Sequence, residues 1–363
     1  MKWTLTDAHG LKDVLIALSK GREVYALEGH ENGGFKLSRA EKWLTGFHTL
    51  GTYRQTEPLK TLFFPAREFI GRWKGDPVRE PMRERIIFGV KNCDLSSLAI
   101  FDFVFLHGLA KDPYYAEARD KTILVSTDCS DQLDVCFCTA VGEQPYAEKG
   151  YDINIAQTLA GYVIEDGSAR GAKLLSTVEH LLEEAGPLLL ETLEAQRAGR
   201  RQELTDHCLS HGLKPGADYR AAVEDSFESG LWADFAKDCV ECGACNYICC
   251  TCHCFLLGDG FDSDGTPART KLWDACLYSE FARTAGGGTP RPLRAERLRN
   301  RFDKKFSYFP QVLDRYACDG CGRCTQACIA NIDIRDVLRR AVDVASTLHA
   351  HTGDHRTDYG RNA

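Results

Sequence analysis

The chain has 363 residues, 44% of them hydrophobic and 27% charged, with a formal net charge of −7. That length supports two cores, the balance is that of a globular protein, and the acidic charge gives no basis for a nucleic-acid or anionic-membrane partner. Seventeen cysteines are the anomaly, and in a long chain with no export signal, thiols crowded into short stretches point to metal rather than disulfides.

In chain order, Met1 to Lys20 carries Asp7, His9, Lys12 and Asp13 where an export signal needs an apolar stretch. No run reaches the roughly 18–20 apolar residues of a membrane-spanning helix; Leu95 to Ala110 comes nearest but holds Asp102 and His107. A cytoplasmic chain is expected. Ile86–Val90 predicts a buried strand and Leu95–Phe105 the helix after it. Thr122–Ser126 predicts a second strand ending just before Cys129, and Ile153–Ile155 and Tyr162–Ile164 two more around a turn. Val178 to Ala198 predicts an amphipathic helix with Leu181, Leu182, Leu188, Leu189 and Leu193 on one stripe.

The polar segment Gln202–Ala217, with Gly212, Pro215 and Gly216, marks a domain boundary. A helix from Asp218 to about Ala236 leads into the cysteines, Gly258–Pro267 and Gly286–Pro290 read as loops, and Ser346 to Ala363 reads as a polar tail. The expected fold class is α+β. A mixed α/β domain covers 1–215, a mainly helical, ferredoxin-type domain with an insertion covers 216–345, and the tail covers 346–363.

Cys239-Val-Glu-Cys242-Gly-Ala-Cys245-Asn-Tyr-Ile-Cys249 is a C-x2-C-x2-C-x3-C run, and it recurs as Cys318-Asp-Gly-Cys321-Gly-Arg-Cys324-Thr-Gln-Ala-Cys328. Three thiolates in a tight loop wrap three corners of a [4Fe–4S] cubane, while the fourth reaches away, in two-cluster ferredoxins to the other cluster. Cluster I is therefore expected on Cys239, Cys242, Cys245 and Cys328, and cluster II on Cys318, Cys321, Cys324 and Cys249. Gly243, Gly320 and Gly322 allow positive φ and close backbone approach. Structural zinc prefers two ligand pairs separated by a longer span. The proline that normally follows such a run is replaced by Cys250 and Ile329.

Around the runs stand Cys249-Cys250-Thr-Cys252-His-Cys254-Phe255, Trp273-Asp274-Ala-Cys276, and the basic stretch from Arg294 through Arg297, Arg299 and Arg301 to Lys304-Lys305-Phe306. Upstream lie Gly89-Val-Lys-Asn-Cys93-Asp94, Asp112-Pro-Tyr-Tyr115, Cys129, Cys136-Phe-Cys138 and Gly150-Tyr-Asp152. In order and content these resemble the iron–sulfur β subunits of sulfhydrogenases and the matching iron–sulfur component of anaerobic sulfite reductase, over roughly Phe64 to Val337. Cys250 departs from that pattern, which has proline there. The resemblance implies an electron relay set between the flavin-bearing and catalytic subunits of a complex.

Cys93, Cys129, Cys136 and Cys138 are candidates for a third cluster, the first two because each follows a predicted strand end. Ordinary buried cysteines and a redox-active thiol pair are the alternatives. Cys252, Cys254 and Cys276 either supply an alternative ligand to that cluster or pack as inert thiols; with Cys250 they number four, but alternate too closely to share a cubane without strain. Cys208 lies outside every motif. The stretch Arg291 to Lys305 reads as a solvated helix face, a partner-docking face, or compensation for anionic thiolates. No phosphate loop and no G-x-G-x-x-G after a strand occurs, so the chain itself is not expected to bind nucleotide or flavin. Two rival functions remain: a substrate-reducing enzyme using the first-domain cluster, with Asp94 as a noncysteine ligand, and a zinc-stapled assembly module.

Overall fold

The computed structural model describes residues 2–5, 8–29, 34–39, 50–73, 80–261 and 263–352. The first half contains β1 (Lys2–Leu5), α1 (Ala8–Ser19), β2 (Glu23–Gly29), β3 (Phe35–Arg39), β4 (Arg67–Arg72), β5 (Arg85–Val90), α2 (Asn92–Phe105), α3 (Pro113–Asp120) and β6 (Thr122–Thr127). It continues with β7 (Ile153–Thr158), β8 (Gly161–Asp166), α4 (Ala169–Ser176), β9 (Glu183–Glu184) and α5 (Pro187–Ser210). All these strands except β4 form an eight-stranded sheet in the order β3-β2-β5-β6-β7-β8-β1-β9. β2, β5, β6 and β7 run parallel, and the outer pairs are antiparallel.

β5 and β6 are buried along their whole length, which is why they read as unbroken apolar runs rather than alternating ones. Cys93, in the first turn of α2, and Cys129, just past β6, leave the carboxyl ends of these neighbouring strands. That edge is where open α/β sheets build their sites. Asp112 caps α3, its Oδ1 accepting from the Tyr114 and Tyr115 amides at 2.9 and 3.0 Å, and Pro113 sits in the first turn where its missing N–H costs nothing.

The helix expected over Val178–Ala198 begins later. Pro187 opens it and it runs to Ser210, through much of the expected boundary segment, while Leu181 and Leu182 pack on the sheet core before it. The buried positions of α5 are Leu193, Arg197, Leu204 and Cys208, one helix face.

In the second half, α6 (Tyr219–Asp225) and α7 (Leu231–Ala236) replace the single helix expected up to Ala236; in the break, Trp232 Nε1 donates to the Ser226 carbonyl at 2.8 Å. Then come α8 (Ala244–Tyr247), β10 (Phe255–Phe261), β11 (Pro267–Trp273), α9 (Arg294–Phe302), α10 (Phe309–Leu313), α11 (Arg323–Gln326) and α12 (Ile334–Thr352), with a π-helical turn over Asp303–Tyr308. Gly258–Pro267 is not the expected loop. β10 and β11 pair from Phe255↔Trp273 to Phe261↔Pro267, because a cross-strand ladder overrides the poor strand propensity of Gly258, Asp259 and Gly260. The tail expected from Ser346 is helical as far as Thr352, since α12 buries Val337, Leu338, Ala341 and Ala345 in the second core. Residues 353–363, including His355, lie outside the described residues.

The two halves interlock. β11 pairs with β4, so a three-stranded sheet takes one strand from the first half. Lys271 on β11 reaches Glu68 at 2.5 Å and Asp112 at 2.6 Å. Phe137, Ala140, Val141 and Cys208 pack into the second core beside Phe302 and Phe306. Among the described residues no helix is long and apolar enough to cross a membrane.

Candidate metal centres

The two cysteine runs fold alike. Gly243 (φ +72°) precedes α8 and Gly322 (φ +68°) precedes α11. In each run a left-handed glycine ends the loop holding the first two cysteines and starts the short helix holding the third. L-residues disfavour that φ, so glycine is required by the turn. At Gly243 an added Cβ would also meet Tyr278 Oη at 2.7 Å.

Cys239, Cys242, Cys245 and Cys328 line one cavity, together with Cys324 and an apolar wall that includes Leu298, Phe302 and Ile332. The fourth cysteine of the second run thus meets the first three of the first run. Cys249 lies within Coulomb reach of Cys318, Cys321 and Cys324. Lys305 Nζ donates to Cys249 Sγ at 3.2 Å and to Thr251 Oγ1 at 2.8 Å. Cys250 adjoins this set, its thiol beside Cys249 and its sulfur 3.7 Å from Cys321 Sγ and 3.5 Å from Asp319 Oδ2.

Cys93, Cys129, Cys136 and Cys138 line a third cavity, which Arg54, Gly320 and Cys321 also border. Its wall is shared with the second run. The Phe137 amide donates to the Gly320 carbonyl at 2.8 Å, and a Cβ on Gly320 or Gly322 would overlap the backbone of Cys138 or Val135. Burial pushes the Cys136 thiol up to about 11 and Cys138 well above the ordinary thiol range. Metal-free, these would be neutral thiols, and cluster binding would release their protons.

Buried cations surround these sulfurs, and most were not foreseen. Lys91 Nζ donates to the Gly51 and Asp128 carbonyls at 2.5 and 2.8 Å, beside Cys129 and Cys93. Arg54 Nε donates to the Cys321 carbonyl at 2.5 Å. Burial alone would discharge Lys305, but Cys249 and Cys252 outweigh it and hold the ammonium well above the ordinary lysine value. Of the basic stretch, Arg297, Arg301 and Lys305 are buried, a four-residue period that places one helix face against the thiols. This excludes a solvated face for those three, while Arg294 stays half-exposed beside Glu241.

The residues fit an iron–sulfur cofactor. Arg301 Nε, bordering the first cavity, and Arg323 Nη1, near Cys321 and Cys93, are buried without a hydrogen-bond partner. Orphaned donors beside a thiolate cavity are what inorganic sulfide would complete. A zinc tetrahedron at about 2.3 Å per Zn–S bond needs sulfurs about 3.8 Å apart. Among the described residues no three cysteine sulfurs come within 4.8 Å of one another; the trio that does meet this limit is Asp134, His207 and His211.

Asp94 is not free to ligate iron. Its Oδ1 accepts from the Leu59 amide at 2.9 Å and its Oδ2 from Arg323 Nη2 at 2.7 Å, in a fully buried pair. Cys208 is buried, its sulfur 3.3 Å from Thr139 Oγ1.

Residues 238–332 match the family described as 4Fe-4S dicluster domain. The chain is 28% identical over 253 residues to sulfhydrogenase 2 subunit beta of Pyrococcus furiosus, an alignment covering 70% of this chain and 72% of the relative. No solved structure gives a significant match. The chain is an iron–sulfur protein related to the β subunits of sulfhydrogenases, and residues 238–332 are its 4Fe-4S dicluster domain.

Proposed function

We propose that the chain relays single electrons through three [4Fe–4S] clusters between the flavin-bearing and catalytic subunits of a redox complex. Cluster I is held by Cys239, Cys242, Cys245 and Cys328, cluster II by Cys318, Cys321, Cys324 and Cys249, and the third by Cys93, Cys129, Cys136 and Cys138. When bound, the clusters supply one-electron carriers; the chain supplies their thiolates, their burial and the donors that set each potential.

One observation carries the reading: the three cysteine sets are contiguous, with the second run wedged between the other two. Cys242 is exposed while Cys249, Cys318 and Cys321 are buried, so the route has an outer end at cluster I and an interior middle. Gly320 and Gly322 let the second run lie directly on the backbone of residues 135–138, which shortens the last step. The buried cations Lys91, Arg54, Arg323 and Lys305 offset the negative charge of cysteine-ligated clusters in a low-dielectric interior.

Iron analysis of anaerobically purified protein tests this. At least about twelve irons per chain are expected, about four of them lost in Cys93→Ser/Cys129→Ser; no loss in that variant means that the first half holds no cluster. A second reading has a specific observation in its favour. An open pocket lined by Asp128, Ser130, Tyr146, Arg197, Arg200 and Glu203 adjoins Cys129, which gives a small polar substrate a path to the third cluster. Turnover of such a substrate by the isolated chain with an artificial electron donor would favour this enzyme over the relay.

A further inference from the structure

Of the five cysteines outside these sets, the β10–β11 hairpin brings Cys254 and Cys276 together, and Cys252 stands just before its first strand. Cys254 directly precedes β10 and Cys276 closely follows β11. Phe255 pairs with Trp273, and the Asp274 amide donates to the Cys254 carbonyl at 3.0 Å. The thiols of Cys254 and Cys276 are in hydrogen-bond contact. Asn246 Nδ2 lies 3.1 Å from Cys276 Sγ and 3.8 Å from Cys252 Sγ. One buried amide therefore addresses two of the three sulfurs.

Charge points the same way. Lys60 is 1% exposed, yet its ammonium donates only to the Cys252 carbonyl at 2.9 Å and the Asn246 carbonyl at 3.3 Å, and stands 4.4 Å from the Trp273 ring centre. Burial pulls Lys60 below the ordinary lysine value, since a buried ammonium without a carboxylate is costly, and the sulfurs that oppose this are Cys252 first, then Cys249 and Cys250. Lys304 and Arg301 face Cys276 from another side, on the π-helical turn and the helix before it. Thiols, one orienting donor and a shell of buried cations repeat the surroundings of the other centres.

We propose that Cys252, Cys254 and Cys276 hold a further iron–sulfur cluster at the base of the β10–β11 hairpin, with Asn246 donating to its sulfur ligands and Lys60 offsetting its charge. Cys250 has no part in it, because it lies against Cys321 and Asp319. A lone zinc ion is too small for the site, since these three sulfurs do not all fall within 4.8 Å of one another. A Cys254–Cys276 disulfide would leave the Asn246 contact to Cys252 and the buried Lys60 unexplained. The hairpin exposes Phe255, Leu256 and Leu257, so the cluster would lie directly beneath an apolar outer strand.

The inference shares the iron–sulfur reading of the chain but not the first-half cluster, and the test separates them. Full-length chain is purified without oxygen as wild type, Cys252→Ser/Cys276→Ser and Cys93→Ser/Cys129→Ser. Iron, zinc and acid-labile sulfide are counted per chain, and the reduced paramagnetic signals are integrated. The Cys252→Ser/Cys276→Ser chain is expected to lose roughly three to four irons with matching sulfide, and one signal distinct from that lost in Cys93→Ser/Cys129→Ser. Unchanged iron and signals, or the loss of one zinc in place of iron, overturns the inference. If the Cys252→Ser/Cys276→Ser chain does not fold, the Cys93→Ser/Cys129→Ser chain decides: iron well above the about eight of a two-cluster domain supports the site, and about eight or fewer overturns it.

Discussion

Cysteine runs 239–249 and 318–328 share their spacing and the same left-handed glycine before a short helix, but their surroundings are opposite. At the first run Cys242 is exposed, and Val240 and Ile329 stand 59% and 72% exposed beside it. The second run is enclosed: Arg54 binds its backbone, Arg323 passes through it to Asp94, Lys305 reaches Cys249, and Gly320 and Gly322 press on the first half. The contrast teaches that one motif, used twice, takes its role from burial and charge. The first run suits exchange with a partner, and the second joins the two halves of the chain.

The largest expected effect breaks that joint. Cys321→Ser is expected to abolish a cooperative thermal transition. Cys242→Ser loses about four irons and keeps a folded sheet, as followed by far-ultraviolet circular dichroism and iron assay. The reverse outcome would make the first run the keystone. Next, Asp94→Ala leaves the buried Arg323 guanidinium unpaired and should cost about 3–5 kcal/mol in denaturant unfolding. Its counterpart at the first run, Glu241→Ala, should cost about 1 kcal/mol, because Glu241 is 27% exposed and Asp94 not at all.

Lys305→Met removes a cation hydrogen-bonded to Cys249 Sγ. At an effective dielectric of about 20, a unit charge roughly 6 Å away is worth about 2.8 kcal/mol, or about 120 mV for one electron. Redox titration should show one signal moving to a more negative potential by that order while the cluster I signal stays in place. Smallest in stability is Val240→Asp, expected within about 0.5 kcal/mol of wild type by denaturant unfolding. It should slow electron delivery to or from the co-purifying partner, and an unchanged rate would move the exchange surface away from cluster I.

Much of the candidate site was legible in the sequence because local spacing carries it. A C-x2-C-x2-C-x3-C run dictates its own loop, and Cys93 and Cys129 could be placed because the strands before them are unbroken apolar runs. The basic stretch was visible but ambiguous: its four-residue period held the answer, yet only packing says which face turns inward. Lys60, Lys91 and Arg54 gave no signal, since an isolated basic residue in a loop or at a strand end reads as surface. Asn246 lies within the first run without any local mark of a role, because its partners, Cys252 and Cys276, meet it only in the folded chain.

The chain's order of residues by itself determined two iron–sulfur runs, the parallel strands that end at Cys93 and Cys129, and kinship with a redox subunit, because each depends on contacts within a few residues. Tertiary structure alone decided that β10 and β11 form a hairpin on β4, that Asp94 serves Arg323 rather than a metal, and that the second run is buried. Those outcomes depend on backbone ladders and buried charges contributed by segments far apart in the chain, and no local pattern encodes which distant segment will arrive.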